Sequence, residues 1–401
     1  MAELSFETIC FKEQKDKVKV ILLQHFYFEV DKAELKQISP FEIKENKIDF
    51  LNLNKDKAQK KFSFLLAKHL PELKNDINQN PAVYVHSNSN LPLIGNVSFG
   101  IVYRNTSLIE IKPQTSCNLN CVYCSVGEGI NSKKTDFVVE KDYLVSGINQ
   151  LLEFVEESVE IHIGTHGEPF LYADCLNLIA DLDKIKSVHT ISIDTNGTLL
   201  TESLIDRLAQ WKKLRLNVSL NTLTPDTAKK MSGVTWYNVE RIKEMVLYAQ
   251  KKKVKVLLTP LILPTYNDSE IEELVKWAKE HNFPLGVQNF LSYKTGRNPI
   301  KPWDWEKFYS TLTTLEKKYQ VKLVISPDDF KIKYTPELEK PFLKDETINA
   351  IIVCSDRFPN SRLAVAKERT ISLPDCNLPL NKKVKVKIIR DKHNIFVGKV
   401  I

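Results

Sequence analysis

Three cysteines lie within eight residues of one another, as Cys117, Cys121 and Cys124, in the spacing Cys-x3-Cys-x2-Cys. Cysteine thiolates are the usual ligands of iron–sulfur clusters, and three of them on one short loop can ligate three irons of a cubane cluster. The fourth iron is then left open. An open iron lets a cluster bind a substrate as well as hold electrons, so the spacing favours a reactive iron–sulfur site.

Two other chemistries use clustered cysteines. A zinc site would need a fourth ligand at similar spacing, and the nearest downstream candidates, His162 and His166, fall in a predicted strand and its following turn. A single His on a strand is more often structural, whereas His166 lies within the turn. A disulfide framework is typical of small secreted chains, but this chain has 401 residues and shows no export signal. The iron–sulfur interpretation is therefore preferred.

Apolar, β-branched segments alternate with helical stretches from about residue 107 onward, which predicts βαβ units and a parallel sheet. Chemistry in parallel barrels sits on the loops after the strands, where the cysteine loop falls. The predicted strands cover residues 108–112, 159–163, 190–194, 214–220, 254–263 and 285–291. The predicted helices lie near residues 140–155, 174–182, 202–211, 240–251, 269–281 and 303–319.

Composition limits the class of protein. A chain of 401 residues with 43% hydrophobic residues can bury a large core and is expected to form more than one domain. No apolar run approaches the roughly 18 residues needed to span a membrane. Unpaired cysteines and an oxygen-sensitive motif fit a reducing cytoplasm, so we expect a cytoplasmic protein without a membrane partner. The net charge of +7 is compatible with a polyanionic partner.

The cysteine spacing, with Tyr123 just before the last cysteine, resembles the signature of the radical S-adenosylmethionine (SAM) superfamily. The resemblance implies a partial (β/α)6 barrel and a [4Fe–4S] cluster held by the three cysteines as metal ligands. It also implies that the open iron chelates the amino and carboxylate groups of SAM. The reduced cluster of such enzymes cleaves SAM to a 5′-deoxyadenosyl radical.

The ends of the later strands carry candidate SAM contacts. The turn Gly164-Thr165-His166-Gly167-Glu168-Pro169 resembles the superfamily's Gly-Gly-Glu-type turn, with His166 in place of the first Gly of the pair. The resemblance implies that this turn holds the SAM amino group and that later strand ends meet its ribose and adenine. The candidate cofactor-binding residues are Tyr123, Gly164, His166, Gly167, Glu168, Pro169, Thr195, Asn196, Ser219, Asn221 and Gln288.

The last fifty residues change character, because apolar and basic residues alternate with the period of a half-exposed strand. A solvated sheet face is one interpretation. The pattern also resembles a TRAM domain, a small OB-like β-barrel, and OB-like barrels bind single-stranded nucleic acid. The candidate RNA-binding residues are Lys382, Lys383, Lys385, Lys387, Arg390 and Lys392.

The sequence therefore predicts an α/β fold with a partial (β/α)6 radical SAM barrel, a small N-terminal α+β region and a small C-terminal β-barrel. The expected domains are residues 1–100 for the N-terminal region, 101–330 for the radical SAM barrel, 331–349 for a linker and 350–401 for the TRAM-like barrel.

The favoured hypothesis is an RNA-modifying transferase of the radical SAM type, with tRNA ahead of rRNA and methylation or another C–H functionalisation as the reaction. Certain radical SAM RNA methyl synthases carry a methyl group on a cysteine near the chain end, which makes Cys354 a candidate catalytic residue. Ferredoxin or flavodoxin is the expected electron donor. The alternatives are a radical SAM enzyme acting on a peptide, lipid or small metabolite, and a non-catalytic RNA-binding protein with a structural metal.

Overall fold

The computed structural model describes residues 2–164 and 166–401. Met1 and Thr165 of the predicted SAM-binding turn lie outside the described residues. Among the helices so described, none has both the length and the apolar composition that crossing a membrane would require.

The N-terminal region combines two small antiparallel sheets with two helices. Its strands are β1 (Ala2–Ser5), β2 (Ile9–Glu13), β3 (Lys17–Leu22), β4 (Phe26–Asp31), β5 (Phe41–Lys44), β6 (Lys47–Phe50), β7 (Lys74–Asn75) and β8 (Ala82–Val85). Its helices are α1 (Lys32–Ile38) and α2 (Lys55–His69). Strands β2, β3, β4 and β7 form one sheet, and β1, β6 and β5 form the other. Phe11, Phe50 and Phe62 of the two sheets and α2 pack together in the interior, which gives this region the small α+β character expected of it.

The central region alternates strands and helices. Its strands are β9 (Gly100–Tyr103), β10 (Leu108–Lys112), β11 (Asp136–Val139), β12 (Val159–Ile163), β13 (Val188–Thr195), β14 (Leu214–Val218), β15 (Lys255–Leu258), β16 (Leu261–Ile262) and β17 (Gln288–Asn289). Its helices are α3 (Lys141–Val155), α4 (Cys175–Lys184), α5 (Glu202–Leu208), α6 (Pro225–Ser232), α7 (Val239–Lys251), α8 (Ile271–Glu280) and α9 (Trp305–Tyr319). The main sheet has the order β15-β14-β13-β12-β10-β9, and all its pairs are parallel except β9 with β10. The α/β fold is thereby confirmed.

The last two predicted strands are shorter than expected. The fifth divides into β15 and β16 at Thr259-Pro260, because proline has no N–H to donate to a ladder. The sixth reduces to β17, which pairs in parallel with β16. A single bridge between Leu258 and Leu285 continues the main sheet toward this pair. The predicted sixth unit therefore exists as a strand pair set off from the main sheet.

A strand pairing and a side-chain hydrogen bond connect the N-terminal and central regions. Strand β8 pairs in parallel with β11, which follows the cysteine loop. Asn75 of β7 donates a hydrogen bond to Ser116, one residue before the first cysteine, at 2.8 Å. The N-terminal region thus supports the cysteine loop from one side, although the domain boundaries themselves stay a prediction.

The C-terminal residues form a closed five-stranded barrel in the order β18-β19-β20-β22-β21. The strands are β18 (Thr347–Ser355), β19 (Arg362–Ala366), β20 (Arg369–Leu373), β21 (Lys383–Arg390) and β22 (Val397–Val400). Phe396 and Phe342 meet edge to face in its core. The predicted small barrel is confirmed, but β18 begins at Thr347, inside the predicted linker 331–349. Its alternating burial was not apparent from its sequence.

Candidate active site

The cysteine loop, residues 113–135, joins β10 to β11 at the carboxyl edge of the main sheet. Cys117, Cys121 and Cys124 are free and partly buried. All three line one cavity of about 310 Å³. In the described chain, no three His, Cys, Asp or Glu side chains are grouped tightly enough to hold one metal ion. The three cysteines are therefore not arranged as ligands of a single ion.

Backbone contacts fix the cysteine loop from two sides. Asn120 and Val122 donate to carbonyls at the end of α6, each at 3.0 Å. The guanidinium of Arg297 donates to the carbonyl of Cys121 at 2.7 Å, and its backbone N–H donates to that of Cys124 at 2.9 Å. A Cβ at Gly129, where φ is +128°, would lie 2.1 Å from the Leu119 carbonyl oxygen, so only glycine permits this packing. The cysteines are therefore held on a preformed loop.

The surroundings of the sulfurs disfavour their thiolate form. Burial raises the pKa of the Cys121 thiol to about 12 and also raises the pKa of Cys117. Thiolates are the metal-binding form, so a bound cation must offset this burial. The backbone N–H of Glu128 donates to Cys124 Sγ at 3.3 Å, and hydrogen bonds of this kind tune the potential of a cluster.

Glu168 places an unbalanced carboxylate in the same cavity. It is 1% exposed and accepts hydrogen bonds from the Thr195 hydroxyl at 2.8 Å and the Asn196 N–H at 2.8 Å. Burial raises its pKa to about 7, although these hydrogen bonds act in the opposite direction. No Lys, Arg or His within the described ranges forms an ion pair with it. A ligand ammonium would supply the missing charge.

The structure brings most predicted site residues to the cavity wall. Asn221 donates to the Tyr123 hydroxyl, also a predicted residue, at 2.5 Å and accepts from the Leu261 N–H at 2.8 Å. Asn196 donates to Asn118 of the cysteine loop at 2.9 Å. The predicted residues that line the cavity are Cys117, Cys121, Tyr123, Cys124, Gly167, Glu168, Thr195, Asn196, Ser219, Asn221 and Gln288.

Four of the predicted cofactor-binding and catalytic residues do not line this cavity: Gly164, His166, Pro169 and Cys354. His166 turns instead toward Glu128, with Nδ1 3.0 Å from the carboxylate. Burial lowers the pKa of His166 to about 4, so its ring is neutral at physiological pH. Cys354 lies on β18 against the main core, which does not bring it beside the cysteines. Its role as a methyl carrier stays a prediction.

A buried ionic network behind the cysteine loop was not predicted. Arg357, in the loop after β18, is 2% exposed and forms ion pairs with Glu128 and, at 3.2 Å, with Asp136. Its guanidinium also donates to the Thr115 hydroxyl at 3.2 Å. Burial acts to raise the pKa of Glu128, but Arg357 and His166 outweigh it and lower that pKa. The C-terminal barrel is thereby anchored directly behind the cysteines.

Sequence reasoning also missed several cavity residues. Asp194 precedes two predicted contacts and lies 3.0 Å from His162 Nε2, so His162 has a hydrogen-bonding partner within the sheet. Asp194 and Thr259 could have been predicted, because each lies at the end of a strand. The remaining missed residues in loops have no such sequence signal. The unpredicted lining residues are Leu119, Ser125, Val126, Asp194, Thr259, Leu261, Asn289, Phe290, Leu291 and Tyr293.

The candidate RNA-binding residues lie apart from the cavity. On β21, Lys383, Lys385 and Lys387 are exposed and alternate with buried apolar residues. Lys387 pairs with Asp345 at 3.0 Å. The other candidates, Lys382, Arg390 and Lys392, are also exposed.

The chain is similar to several known proteins. Residues 111–278 match the model of the radical SAM superfamily. An uncharacterized protein of Methanocaldococcus jannaschii is 35% identical over 360 residues, which cover 82% of this chain and 83% of that protein. The GTP 3′,8-cyclase of Peptoclostridium acidaminophilum is 29% identical over 231 residues, covering 56% and 67%. Streptococcus suis SuiB bound to SAM aligns with a TM-score of 0.45 at 16% identity, covering 80% and 72%.

The chain belongs to the radical SAM superfamily. It is therefore a radical SAM enzyme, and its cofactors are a [4Fe–4S] cluster and SAM. The residues present fit both groups, because three free thiols share one cavity wall and Glu168 lacks a cationic partner in the described chain.

Cluster ligation can be tested with a triple Ala variant of Cys117, Cys121 and Cys124. We expect anaerobic reconstitution to give about four irons per wild-type chain and almost none in the variant, because all three ligands are removed. Cys10→Ala is the matched control, since Cys10 lies on β2 outside the cavity. Full iron and sulfide content in the triple variant would contradict the assignment.

The Arg357 network predicts a large loss of stability on truncation. Arg357→Ala leaves Glu128 and Asp136 buried without their counter-charge, which typically costs about 3–5 kcal/mol of unfolding free energy. Denaturant unfolding of the full chain measures this loss. Arg207→Ala on exposed α5 should change stability by about 0.5 kcal/mol or less. Equal effects of the two substitutions would refute the structural role of the network.

Proposed function

We propose that this enzyme cleaves SAM reductively and uses the resulting radical to modify RNA, with tRNA ahead of rRNA. When bound, the cluster supplies the electron that splits SAM into methionine and a 5′-deoxyadenosyl radical. Methylation or another C–H functionalisation is the proposed outcome. RNA is proposed as the substrate because β21 has an exposed basic face, formed by Lys383, Lys385 and Lys387. The barrel that contains β21 is anchored behind the cysteine loop.

The residues of the chain bind and orient the cofactors. Cys117, Cys121 and Cys124 would hold the cluster, and Glu168 would face the ammonium of SAM. Asn221 holds Tyr123 against the wall of the cavity. Cofactors held in the cavity would displace water from its partly buried wall, which would protect a reactive radical.

The basic face supports a polyanionic substrate by its charge and its position. Within the described chain, Lys383 and Lys385 have no carboxylate partner, so their charges are available to phosphates. Lys385 pairs with Asn349 of β18. Arg357 follows Asn349 by eight residues, so the chain between them spans at most about 29 Å. An RNA of several nucleotides could extend over this distance.

A TRAM-like role for the barrel and an external reductant belong to the same proposal. The closed five-stranded topology is compatible with an OB-like module that binds nucleic acid. A cluster held by the three cysteines would need an external electron donor, and ferredoxin or flavodoxin is the proposed partner.

A free nucleotide is the second candidate substrate. It is favoured by the similarity to several proteins named GTP 3′,8-cyclase. Incubating the reduced enzyme with SAM and either tRNA or GTP separates the two. Modified nucleosides in digested tRNA support the first candidate, and a modified nucleotide supports the second.

Binding of SAM, and with it SAM cleavage, should depend on Glu168. Wild type with a strong reductant should form 5′-deoxyadenosine, detected by chromatography. Glu168→Gln should bind SAM roughly tenfold or more weakly, because the amide keeps an acceptor oxygen but loses the negative charge that would face the ammonium. Glu240→Gln on exposed α7 should leave SAM binding unchanged. If wild type forms no 5′-deoxyadenosine above a cluster-free control, with RNA present, the proposed activity is wrong.

The basic face makes a prediction about salt. Each phosphate that a lysine neutralises releases counterions, so Lys385→Ala/Lys387→Ala should bind RNA more weakly. Its slope of log affinity against log salt should shrink by roughly 0.7–0.9 for each phosphate that is no longer neutralised. Filter binding at several salt concentrations measures the slope.

Lys60→Ala/Lys61→Ala, at two exposed positions of α2, makes the same charge change elsewhere and should leave affinity and slope near wild type. The weakening in the β21 variant should also be similar across RNA sequences, because phosphate contacts do not read bases. An unaltered slope in the β21 variant would leave its lysines as a solvated face only.

A further inference from the structure

A second cavity lies beside the SAM cavity, between β17 and α9. It has a volume of about 280 Å³ and is lined by Trp305, Tyr309 and apolar residues of α9 and residues 323–325. Gln288, Asn289 and Leu291 line both cavities, so the two share one wall. A ligand in the second cavity would therefore lie directly beside the site of radical chemistry.

The outer edge of this cavity is an exposed aromatic pair, which we call the aromatic shelf (Trp305 and Tyr309). The two rings stack with centroids 5.7 Å apart and planes at 25°, because residues four apart lie on one face of a helix. Trp305 is 51% exposed and Tyr309 is 47% exposed. Large aromatic rings held in register but left open to solvent are typical of sites that stack a planar ligand.

The loop beside the aromatic shelf contains basic residues and no acidic ones. Residues 292–303 contain Lys294, Arg297 and Lys301 but no Asp or Glu. Lys294 and Lys301 are exposed, and across the described ranges neither forms an ion pair. Arg297 ties this loop to the cysteine loop through the Cys121 carbonyl. An anionic group bound here would thus be held close to the cavity.

An orphaned polar atom lies in the shared wall. Asn289 is 7% exposed, and its Nδ2 donates to the Trp303 carbonyl at 2.9 Å. Its Oδ1 is buried and accepts no hydrogen bond from any described residue. A buried acceptor without a donor is costly, so a ligand N–H is the natural partner.

We propose that the aromatic shelf and its basic loop form the substrate subsite for a nucleobase that carries a phosphate. Stacking on Trp305 and Tyr309 would hold the base, Lys294 and Lys301 would meet the phosphate, and Asn289 Oδ1 would accept from a base N–H. The base belongs either to a free nucleotide or to a flipped-out residue of RNA. This inference rests on the proposed function and names the substrate chemistry of that same site.

The test is equilibrium binding to the reconstituted full-length holoenzyme under anaerobic conditions. The probes are guanosine monophosphate, guanosine, ribose 5-phosphate and a single-stranded hexanucleotide RNA. Guanosine and ribose 5-phosphate should each bind about tenfold or more weakly than the monophosphate, because each lacks one recognised half. A preference for the hexanucleotide identifies RNA as the source of the base, and equal affinity identifies the free nucleotide.

Variants locate the binding. Trp305→Leu/Tyr309→Leu should weaken binding of the monophosphate about tenfold or more, the usual effect of removing a stacking platform. Lys294→Ala/Lys301→Ala should weaken it with a shallower salt dependence. Trp236→Leu is the matched control, because Trp236 is 53% exposed and lines neither cavity, and it should bind as wild type does. Iron content and melting temperature show that each variant is folded.

Three results would overturn the proposal: a holoenzyme that binds neither nucleotide nor RNA, a shelf variant that binds both as tightly as wild type, or a shelf variant that only abolishes a dimer seen by sedimentation. The last result would make a second copy of the chain the occupant. If wild type still holds iron and forms 5′-deoxyadenosine, only the subsite is wrong. If it does neither, the proposed function fails as well.

Discussion

The buried guanidinium of Arg357 is the interaction on which the arrangement of this enzyme depends. A buried cation is costly unless charged and hydrogen-bonding partners surround it. Arg357 has two carboxylates, Glu128 and Asp136, and further acceptors on the Thr115 hydroxyl and the Thr135 carbonyl. These groups belong to the cysteine loop and the strand after it. The C-terminal barrel therefore cannot separate from the radical SAM barrel without leaving buried charges unpaired.

The N-terminal region is hydrogen-bonded to the same network. Asp136 accepts from Asn75 at 2.7 Å and from Asn78 at 2.8 Å on one oxygen, and from Thr115 at 2.7 Å on the other. One carboxylate thus joins three parts of the chain. The cysteines line the SAM cavity, where burial raises the pKa of Cys117 and Cys121 and so disfavours the thiolates that a cluster requires. The ion pairs of the network do not use the sulfur atoms, although the backbone N–H of Glu128 donates to Cys124 Sγ. The ion pairs can therefore hold the loop in place with or without a bound cluster.

Sequence patterns predicted the elements that depend on residues close together in the chain, and missed contacts between residues far apart in it. The β-branched runs gave β10 and β12 with correct bounds, and the cysteine spacing placed the site at the end of β10. Pro260 divided a predicted strand, and β18 was missed because its alternation is weak. His166 was expected to face SAM but turns to Glu128, since the orientation of a side chain in a turn depends on residues far along the chain. Arg357 lies 229 residues from Glu128, and no periodicity or motif signals such a pair.

Rigid anchoring of the C-terminal barrel has a consequence for substrate size. A module on a flexible linker can capture a large polyanion and deliver any part of it to the cavity. Here the barrel is fixed, so the distance between the basic face of β21 and the SAM cavity is fixed as well. A substrate that uses both must therefore span that distance in one conformation. The aromatic shelf shares a wall with the cavity, so a free nucleotide and a longer nucleic acid could each use the shelf and the cavity without contacting β21.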